Sequence, residues 1–351
     1  MLARITKQLR HFQLDVEIAV GDGTNVAIVG PSGCGKTTVL NCVAGLVRPD
    51  DGVVTLDAHT VFDAQNGINI PPEQRNVGMV FQQYALFPHL TVFDNVAYGL
   101  LTRHMPERDV HARVDKILER VGMRAFAKAR PGELSGGECQ RVAIARAVAP
   151  NPKMLLLDEP LGALDTSVRR RVRRKLRDLL DSLSVTVILV THDYEDALVL
   201  AEHTVVLNQG LVVREGTHEE LLLHPKSKFV ADFTGVNFFA GTVCPGESEL
   251  REIRIENAAL RADTNANGTV GISFYPVDVM VHVDQPQNSP HNLFHGTVRE
   301  LVNLGGRVRA FVDAGLPLMA EMTPGESEVL GLSVGQKVHL TIAPAAIRVS
   351  Q

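Results

Sequence analysis

One stretch of eight residues constrains the fold of this chain more than any other. It reads Gly30-Pro31-Ser32-Gly33-Cys34-Gly35-Lys36-Thr37 and fits the pattern GxxxxGK[ST] at every fixed position. A short apolar run, Asn25–Val29, precedes it, and Val39, Leu40 and Val43 follow it at helical spacing. In a strand–loop–helix unit of this kind, glycines let backbone N–H groups converge on phosphate oxygens, and the helix N-terminus adds positive potential. The sequence therefore predicts a nucleotide site.

The residues at the end of this loop supply further phosphate chemistry. Lys36 can reach the β- and γ-phosphates, and the hydroxyl of Thr37 can ligate Mg²⁺. We expect Cys34 to be a small filler residue rather than a redox group. The predicted nucleotide contacts are Gly30, Pro31, Ser32, Gly33, Cys34, Gly35, Lys36, Thr37 and Thr38.

A second motif, Leu155-Leu156-Leu157-Asp158-Glu159-Pro160, places two carboxylates after an apolar run. This pattern indicates a buried strand whose end reaches the phosphates. Asp158 would then hold the magnesium shell, and Glu159 would polarise the attacking water. Alone, such a string is often a solvated turn, but the glycine-rich loop upstream favours the catalytic interpretation.

A third motif, Leu134-Ser135-Gly136-Gly137-Glu138, precedes a predicted helix over Cys139–Val148. A serine with two glycines at a helix start is a second anion cradle. One γ-phosphate needs only one cradle, so the second is explained if it serves another chain.

Composition excludes several classes of protein. The 351 residues carry a formal net charge of −5, which argues against a general nucleic-acid binder. No Trp and four Tyr leave little material for base stacking. The charged start, Met1–Val20, lacks the apolar region of a secretory signal, and the apolar runs are too short to span a bilayer. Four cysteines show no disulfide or CxxC framework, so we expect a soluble cytosolic protein.

The pattern of the chain changes near residue 235. Before it, strand-like runs at 153–157 and 185–190 alternate with helical segments such as Asp165–Leu183, which predicts an α/β fold with a largely parallel sheet. After it, period-two runs appear, and Gly305–Gly306 predicts a hairpin turn. We predict a first domain over 1–235 and a small, mostly β domain of barrel type over 236–351.

Six strings together resemble the ATP-binding cassette (ABC) family, in that family's order and over roughly residues 1–230. They are the glycine-rich P-loop, Phe81-Gln82-Gln83, LSGGE at 134–138, LLLDEP at 155–160, Leu161-Gly162-Ala163-Leu164-Asp165 and Thr191-His192-Asp193. The resemblance implies a P-loop NTPase cassette with a helical subdomain over about 88–150. It also implies ATP and Mg²⁺ as ligands.

The resemblance assigns roles to further residues. Gln82 would be the lid residue that senses magnesium and the attacking water, and His192 would steady the γ-phosphate. Ser135, Gly136 and Gly137 would contact the γ-phosphate bound by a partner subunit. Asp165 would lie at the subunit contact. Two copies would therefore pair head to tail with two ATP molecules between them. Gln82 as a surface polar residue and His192 as an ordinary loop histidine are the simpler alternatives.

Other features carry weaker expectations. The family usually stacks adenine on an aromatic residue near the N-terminus, where Phe12 is the candidate; the alternation of Phe12 with Leu14, Val16 and Ile18 favours a core position equally well. The basic run Arg169–Arg177 is expected to be a solvated helix face rather than a nucleic-acid or lipid site. His291 and His295 share a four-residue spacing, but no third metal ligand is evident.

Two segments resemble the coupling and regulatory parts of importers. Tyr84–Leu90 resembles the region that docks a short helix of the membrane permease, although it also fits the core of the helical subdomain. The C-terminal part resembles the TOBE/MOP-like β-barrel domain of importer ATPases. The strings Val61–Ala64, Gly67–Ile68 and Pro286–Ser289 with Asn292 are most similar to molybdate importers. However, Ser289-Pro290-His291-Asn292 lacks the arginine of that subfamily's Ser-Ala-Arg-Asn string.

The sequence thus predicts the ATPase subunit of an ABC importer. It would act as a homodimer, peripheral at the cytoplasmic face of the inner membrane, with permease subunits and indirectly a solute-binding protein as partners, and with no nucleic acid. Molybdate or a related oxyanion is the favoured solute; sulfate, tungstate, iron(III), sugar and polyamine importers share the architecture. The rivals are a soluble ABC protein acting on DNA or ribosomes, and an anion-storage protein built on the barrel alone. The intact Lys36, Asp158 and Glu159 argue against the storage protein.

Overall fold

A computed structural model shows the chain as two compact units, Met1–His218 and Glu219–Gln351. It describes residues 1–162, 166–183, 185–223, 225, 228–246, 250–256, 258–286, 292–304 and 306–350. The division lies before the predicted boundary near 235, because the helix Lys228–Thr234 contacts the strand that follows it, Asn237–Val243. None of the helices in these ranges is both long and apolar enough to span a bilayer.

The first unit is built on one eleven-stranded sheet. Its strands are β1 (Leu2–Gln8), β2 (Gln13–Ala19), β3 (Asn25–Val29), β4 (Asp51–Leu56), β5 (His59–Asp63), β6 (Ile68–Asn69), β7 (Val77–Val80), β8 (Met154–Asp158), β9 (Thr186–Thr191), β10 (His203–Asn208) and β11 (Leu211–Thr217). They are ordered β6-β5-β4-β1-β2-β11-β10-β3-β9-β8-β7. The predicted parallel pairing joins β10, β3, β9, β8 and β7. Antiparallel pairs join β1, β2, β4, β5 and β6. The apolar pattern of the sequence did not distinguish this antiparallel part from the parallel part of the sheet.

Within the described residues, six α-helices complete this unit: α1 (Lys36–Ala44), α2 (Val92–Leu101), α3 (Glu107–Arg120), α4 (Gly136–Val148), α5 (Thr166–Leu183) and α6 (Tyr194–Leu200). Within the predicted helical subdomain, α2, α3 and α4 pack on one another. Helix α4 begins three residues before its predicted start at Cys139, because Ser135 is its N-terminal cap.

The central strands of the sheet are completely buried. Every residue of β3, β8 and β9 is buried, as expected for parallel strands covered on both faces. Helix α1 contacts β8 and β9, and α6 contacts β3 and β9. Because these strands are held rigidly, the polar residues that follow them have defined positions.

The second unit is mostly β structure. Helix α7 (His218–Leu223) begins at the division between the units, and α8 (Lys228–Thr234) and α9 (Pro324–Val329) follow. The strands are β12 (Asn237–Val243), β13 (Leu250–Ile255), β14 (Ala258–Asp263), β15 (Gly268–Phe274), β16 (Val279–His282), β17 (Asn292–Asn303), β18 (Val308–Asp313), β19 (Pro317–Met322), β20 (Lys337–Ile342) and β21 (Arg348–Ser350).

Two five-stranded sheets of this unit share one apolar core. Their orders are β14-β13-β12-β15-β21 and β16-β20-β17-β18-β19, and all their pairs are antiparallel. Phe274 from the first sheet and Leu340 from the second belong to the same buried cluster. The predicted small, barrel-like β domain is confirmed. β17 and β18 form the predicted hairpin, with Asn303 opposite Val308.

Candidate nucleotide site

The glycine-rich loop joins β3 to α1 as predicted. Gly35 caps α1 with φ of 111°, a left-handed conformation that favours glycine. A Cβ on Gly30 would lie 2.1 Å from the carbonyl oxygen of Leu207, so the neighbouring strand β10 leaves room only for glycine. Local backbone geometry and close packing therefore both require the glycines of the motif.

Lys36 lies folded over the loop. Its side chain is almost fully buried, and its ammonium Nζ donates to the carbonyl oxygens of Gly30 and Pro31, each at 2.9 Å. The positive charge thus lies at the centre of the cradle in which the sequence predicts phosphates.

Thr37 and Asp158 come together at the start of α1 and the end of β8. The hydroxyl Oγ1 of Thr37 donates to Oδ1 of Asp158 at 3.0 Å. Burial raises the pKa of the Asp158 carboxyl, whose side chain is removed from water. Hydroxyl and carboxylate oxygens are the donors that Mg²⁺ prefers, and a cation there would offset the cost of burying the carboxylate. The donor set fits the predicted metal.

The three candidate catalytic side chains meet at one edge of the sheet. Gln82, Glu159 and His192 follow β7, β8 and β9, which are adjacent and parallel. Glu159 Oε2 accepts a hydrogen bond from Gln82 Nε2 at 3.0 Å, and Glu159 Oε1 lies 3.3 Å from His192 Nδ1. Both carboxylate oxygens of Glu159 therefore have partners.

The backbone of Glu159 is unusual. Its φ is 44°, in the left-handed region that non-glycine residues rarely adopt, and its N–H donates to the carbonyl of Val190 at 3.0 Å. Gly162 N–H donates to the carbonyl of Glu159, and a Cβ on Gly162 would lie 3.1 Å from Glu159 Oε2. The left-handed backbone of Glu159 and the absence of a side chain at Gly162 together determine where the Glu159 carboxylate lies. Strained backbone of this kind is common where function dictates the geometry.

The serine-glycine motif lies at the N-terminus of α4, where Ser135 and Gly136 are exposed. The backbone N–H and Oγ of Ser135 both donate to Glu138 Oε2, at 2.8 and 2.7 Å. These bonds hold the pKa of Glu138 below its usual range. Among the described residues, no hydrogen bond or ion pair joins Ser135–Gly137 to the loop or to Glu159. Its predicted role toward another chain stays a prediction.

Two further predicted roles, those of Asp165 and Phe12, stay predictions. Asp165 lies outside the described residues, so its place at a subunit contact stays a prediction. Phe12 precedes β2 and is half-buried beside Gly210, whereas Leu14 and Val16 of the same alternation lie in the core. Stacking of Phe12 on adenine therefore also stays a prediction.

The expectation of a solvated basic face is wrong for part of the Arg169–Arg177 run. Arg173 is only 7% exposed and pairs with Asp193, Glu195 and Asp196. The exposed members of the run are Arg170, Arg171, Arg174 and Lys175. Arg173 faces acidic side chains of α6 and of the residue before it, which lie 20 to 23 positions later in the sequence.

Arg169 is a positioning residue that the sequence analysis missed. Its Nε and Nη2 donate to the carbonyl of Leu161 at 3.2 and 3.1 Å, and its Nη1 pairs with Asp193 Oδ2 at 2.8 Å. Leu161 lies two residues after Glu159, and Asp193 directly follows His192. One guanidinium thus links the backbone after Glu159 to the side chain of the residue after His192.

The segment after Gln82 is fixed by Arg146 of α4. Tyr84 and Ala85 have φ of 60° and 46°, and Arg146 donates to their carbonyl oxygens at 2.9 and 2.7 Å. Its guanidinium also lies 5.3 Å from the centroid of the Phe87 ring. Tyr84 is buried, whereas Ala85, Pro88 and His89 are exposed. Tyr84 therefore fits the core interpretation of this segment, and docking of a permease helix by its exposed residues stays a prediction.

In the second unit, most of the string that resembled molybdate importers, residues 287–291, lies outside the described residues. Asn292 is used structurally: its Nδ2 donates to the carbonyls of Arg261 at 2.9 Å and Ile342 at 3.2 Å. His295 contacts His339. All four cysteines are free thiols.

Comparison with known proteins identifies both units. The ABC transporter family model matches residues 14–162, and the TOBE domain model matches residues 288–349. The spermidine/putrescine import ATP-binding protein PotA of Pasteurella multocida is 37% identical over 92% of this chain and 88% of its own. The sulfate/thiosulfate import ATP-binding protein CysA of Mycolicibacterium paratuberculosis is 39% identical over 93% and 83%. The Fe(3+) ions import ATP-binding protein FbpC 2 of Rhizobium meliloti is 42% identical over 76% and 66%.

Solved structures agree with the first unit. The dimeric ATP-binding cassette MJ0796 in a post-hydrolysis state, bound to ADP and Pi, is 33% identical. It superposes with a TM-score of 0.52 over 62% of this chain and 97% of that chain. This chain covers more than two thirds of the PotA and CysA relatives at over 30% identity, and the cassette motifs lie on the elements described above. The chain therefore belongs to the ABC transporter family: it is an ATP-binding, ATP-hydrolysing subunit of an importer, with a TOBE domain after its cassette.

Proposed function

We propose that two copies of this chain pair head to tail and hydrolyse two Mg²⁺-ATP between them, beneath two membrane permease subunits. The observation that carries the proposal is the separation of two half-sites in one chain. Lys36, Asp158 and Glu159 form one half, and the exposed N-terminus of α4 at Ser135 is the other. The MJ0796 cassette, which was solved as a dimer bound to ADP and Pi, supports this pairing.

In this proposal, the loop 30–38 binds the phosphates and Lys36 turns from the loop carbonyls to the β- and γ-phosphates. Thr37 and Asp158 would hold Mg²⁺, which supplies charge neutralisation on the phosphates. Glu159 orients and polarises a water whose oxygen attacks the γ-phosphorus. The bond to the bridging oxygen of ADP then breaks, and inorganic phosphate leaves.

The resting contacts of Glu159 indicate how its geometry is controlled. Gln82 and His192 hold its two carboxylate oxygens, so the side chain is positioned before substrate arrives. Each carboxylate oxygen can accept a second hydrogen bond, so Glu159 can also bind a water beside these contacts. When nucleotide binds, we infer that Gln82 turns toward the metal and the attacking water, and His192 toward the γ-phosphate.

The experiment that tests this mechanism substitutes Glu159→Gln in the full chain. The variant is expected to bind ATP, to lose hydrolysis by at least about a hundredfold, and to accumulate as a dimer with ATP. Ser135→Arg is the matched change in the other half-site. In a mixed dimer it should disable only the site that contains the partner's Lys36. Near-normal turnover by Glu159→Gln, or a nucleotide-locked protein that stays monomeric even with its permease, would refute the proposal.

The solute and the location are further parts of the proposal. We place the subunit at the cytoplasmic face of the inner membrane, as a peripheral partner of the permease that acts with a solute-binding protein. An oxyanion is the proposed solute: the sequence resemblance pointed to molybdate, and the CysA relative is named for sulfate and thiosulfate. The relatives named above for polyamine and Fe³⁺ make these cations the alternatives.

Transport by reconstituted vesicles decides among these solutes. Labelled sulfate uptake should be ATP-dependent and should fall when unlabelled molybdate, tungstate or sulfate is added, but not with spermidine or ferric ion. Absence of sulfate uptake together with ATP-dependent uptake of labelled spermidine or ferric ion would replace the oxyanion with that cation. ATPase activity that ignores the permease and responds to DNA or ribosomes would favour the soluble rival.

A further inference from the structure

A row of three histidines crosses one sheet of the second unit. His282 on β16 pairs in register with His339 on β20, and His339 pairs in register with His295 on β17. Directly opposite residues of neighbouring strands point to the same face of a sheet. The residues on either side of His339 in the strand, Val338 and Leu340, are buried in the core. The three histidines therefore share the outer face.

Two of these rings already direct nitrogens toward one point. Nδ1 of His295 lies 2.7 Å from Nδ1 of His339, and the ring planes are nearly perpendicular at 87°. In this contact one ring donates its proton and the other accepts it. Two imidazole nitrogens that bind one metal ion at about 2.0–2.1 Å are about 2.9 Å apart at a right angle and about 3.3 Å apart in a tetrahedron. Opening the pair by about 0.2–0.6 Å would thus admit an ion.

His282 is the third histidine of the row. In the structure its Nε2 contacts Oγ1 of Thr341 at 2.9 Å. Within the described part of the chain, no three His, Cys, Asp or Glu side chains are gathered to hold a metal as they stand. His282 must therefore rotate away from Thr341 to join the pair. It lies on β16, the edge strand of this sheet, and its side chain is only half-buried.

We propose that His295 and His339 bind one divalent late transition-metal ion (Zn²⁺, Ni²⁺ or Cu²⁺), with His282 rotating in as a third ligand and water completing the shell. Neutral imidazole suits these metals, whereas Mg²⁺ and Ca²⁺ take oxygen ligands. Lys337, two residues before His339 on the same face, adds a positive charge. Affinity must then come from nitrogen coordination rather than from charge attraction, so the site excludes the Mg²⁺ used at the nucleotide site. A bound ion would join β16, β20 and β17.

Zinc titration of the tag-free, metal-stripped full chain, without nucleotide, tests the proposal. The wild type is expected to take up one Zn²⁺ that His339→Gln and His295→Gln each weaken by at least about tenfold. His282→Gln should weaken it less, because the first pair remains. His203→Gln is the matched control, an exposed histidine in the other unit, and should leave the affinity unchanged. Melting curves in chelator verify that each glutamine variant is folded.

A Cu²⁺ spectrum gives a second readout. Nitrogen hyperfine structure from imidazole should be present in the wild type and absent from the double variant of His295 and His339. Zinc uptake that none of the three row substitutions weakens would identify an adventitious ion and overturn the proposal. A wild type that takes up no ion would overturn it equally. Neither result depends on ATP hydrolysis, so failure here is distinct from failure of the proposed transport function.

Discussion

Substituting Arg169 by alanine would test whether the Glu159–His192 geometry depends on a residue that binds the neighbouring positions Leu161 and Asp193. The change removes two hydrogen bonds to the carbonyl of Leu161 and the ion pair with Asp193. Hydrogen bonds to charged groups contribute about 1.5–3 kcal/mol each in favourable cases. Asp193 keeps its pairing with Arg173, so we expect a total loss of stability of about 2–4 kcal/mol.

The effect on catalysis should exceed a mere loss of stability. Once Arg169 is removed, the backbone on each side of the catalytic contact can shift, and a displacement of about 1 Å can cost about a hundredfold in rate. We expect kcat for ATP to fall by about 10- to 100-fold while KM stays within about twofold, because Arg169 does not touch the loop 30–38. Steady-state ATPase assays below the melting temperature measure both constants.

Two companion variants sharpen this experiment. Lysine at 169 can reach Asp193 but lacks the planar fork that also holds the Leu161 carbonyl, so Arg169→Lys should have an intermediate kcat. Arg170→Ala removes an exposed arginine of the same helix and should leave both constants unchanged. Wild-type kcat in a folded Arg169→Ala, or an equal rise of KM in both position-169 variants, would refute the positioning role.

Three further predictions follow from the same site and its supports. Gly162→Ala places a methyl group 3.1 Å from Oε2 of Glu159 and should lower kcat at least about tenfold while ATP binding is retained. Turnover assays and nucleotide titration measure the two effects, and unchanged turnover would contradict the prediction. Because burial raises the pKa of Asp158, the folded state binds the proton more tightly than the unfolded state does, so stability is lost as pH rises from about 3.9 through the raised pKa. Asp158→Asn removes this loss, so its melting temperature should rise relative to wild type as pH rises through the raised pKa, while hydrolysis is lost; a melting difference independent of pH would oppose this. Asn95→Ala should lower the free energy of unfolding in urea by about 3 kcal/mol or more. The fully buried side-chain amide accepts a hydrogen bond from the N–H of Phe87 and donates to the carbonyl of Phe87 and to two further carbonyls. A loss under about 1 kcal/mol would count against this prediction.

The positions of Glu159 and His192 could be predicted from sequence because both residues follow strand ends. The apolar runs that form β8 and β9 are unambiguous, and parallel neighbours bring their carboxyl ends together. The polar residue after each strand therefore had to lie at one edge. The glycine-rich loop was predictable for the same reason, since its strand and helix are both marked by periodicity.

Other features depend on contacts that a linear pattern does not contain. Arg173 looked like one more charge on an amphipathic helix, and its burial follows from Asp193 and Asp196, 20 and 23 residues later. Similarly, the left-handed backbone of Tyr84 and Ala85 follows from Arg146, which is on another helix. The division between the two compact units lies before residue 235 because the short helix Lys228–Thr234 contacts the strand after it, which a change of periodicity does not show.

The folded-over side chain of Lys36 has a consequence for the free energy of phosphate binding. Its ammonium group gives the carbonyls of Gly30 and Pro31 a cationic partner, so contacts within the chain shape the loop. Capture of a triphosphate then exchanges two internal hydrogen bonds for bonds to phosphate, with little chain left to order. Preorganisation of this kind keeps the entropic cost of association low. The affinity for nucleotide should therefore depend mainly on how well phosphate oxygens replace the carbonyls of Gly30 and Pro31 as partners of Lys36.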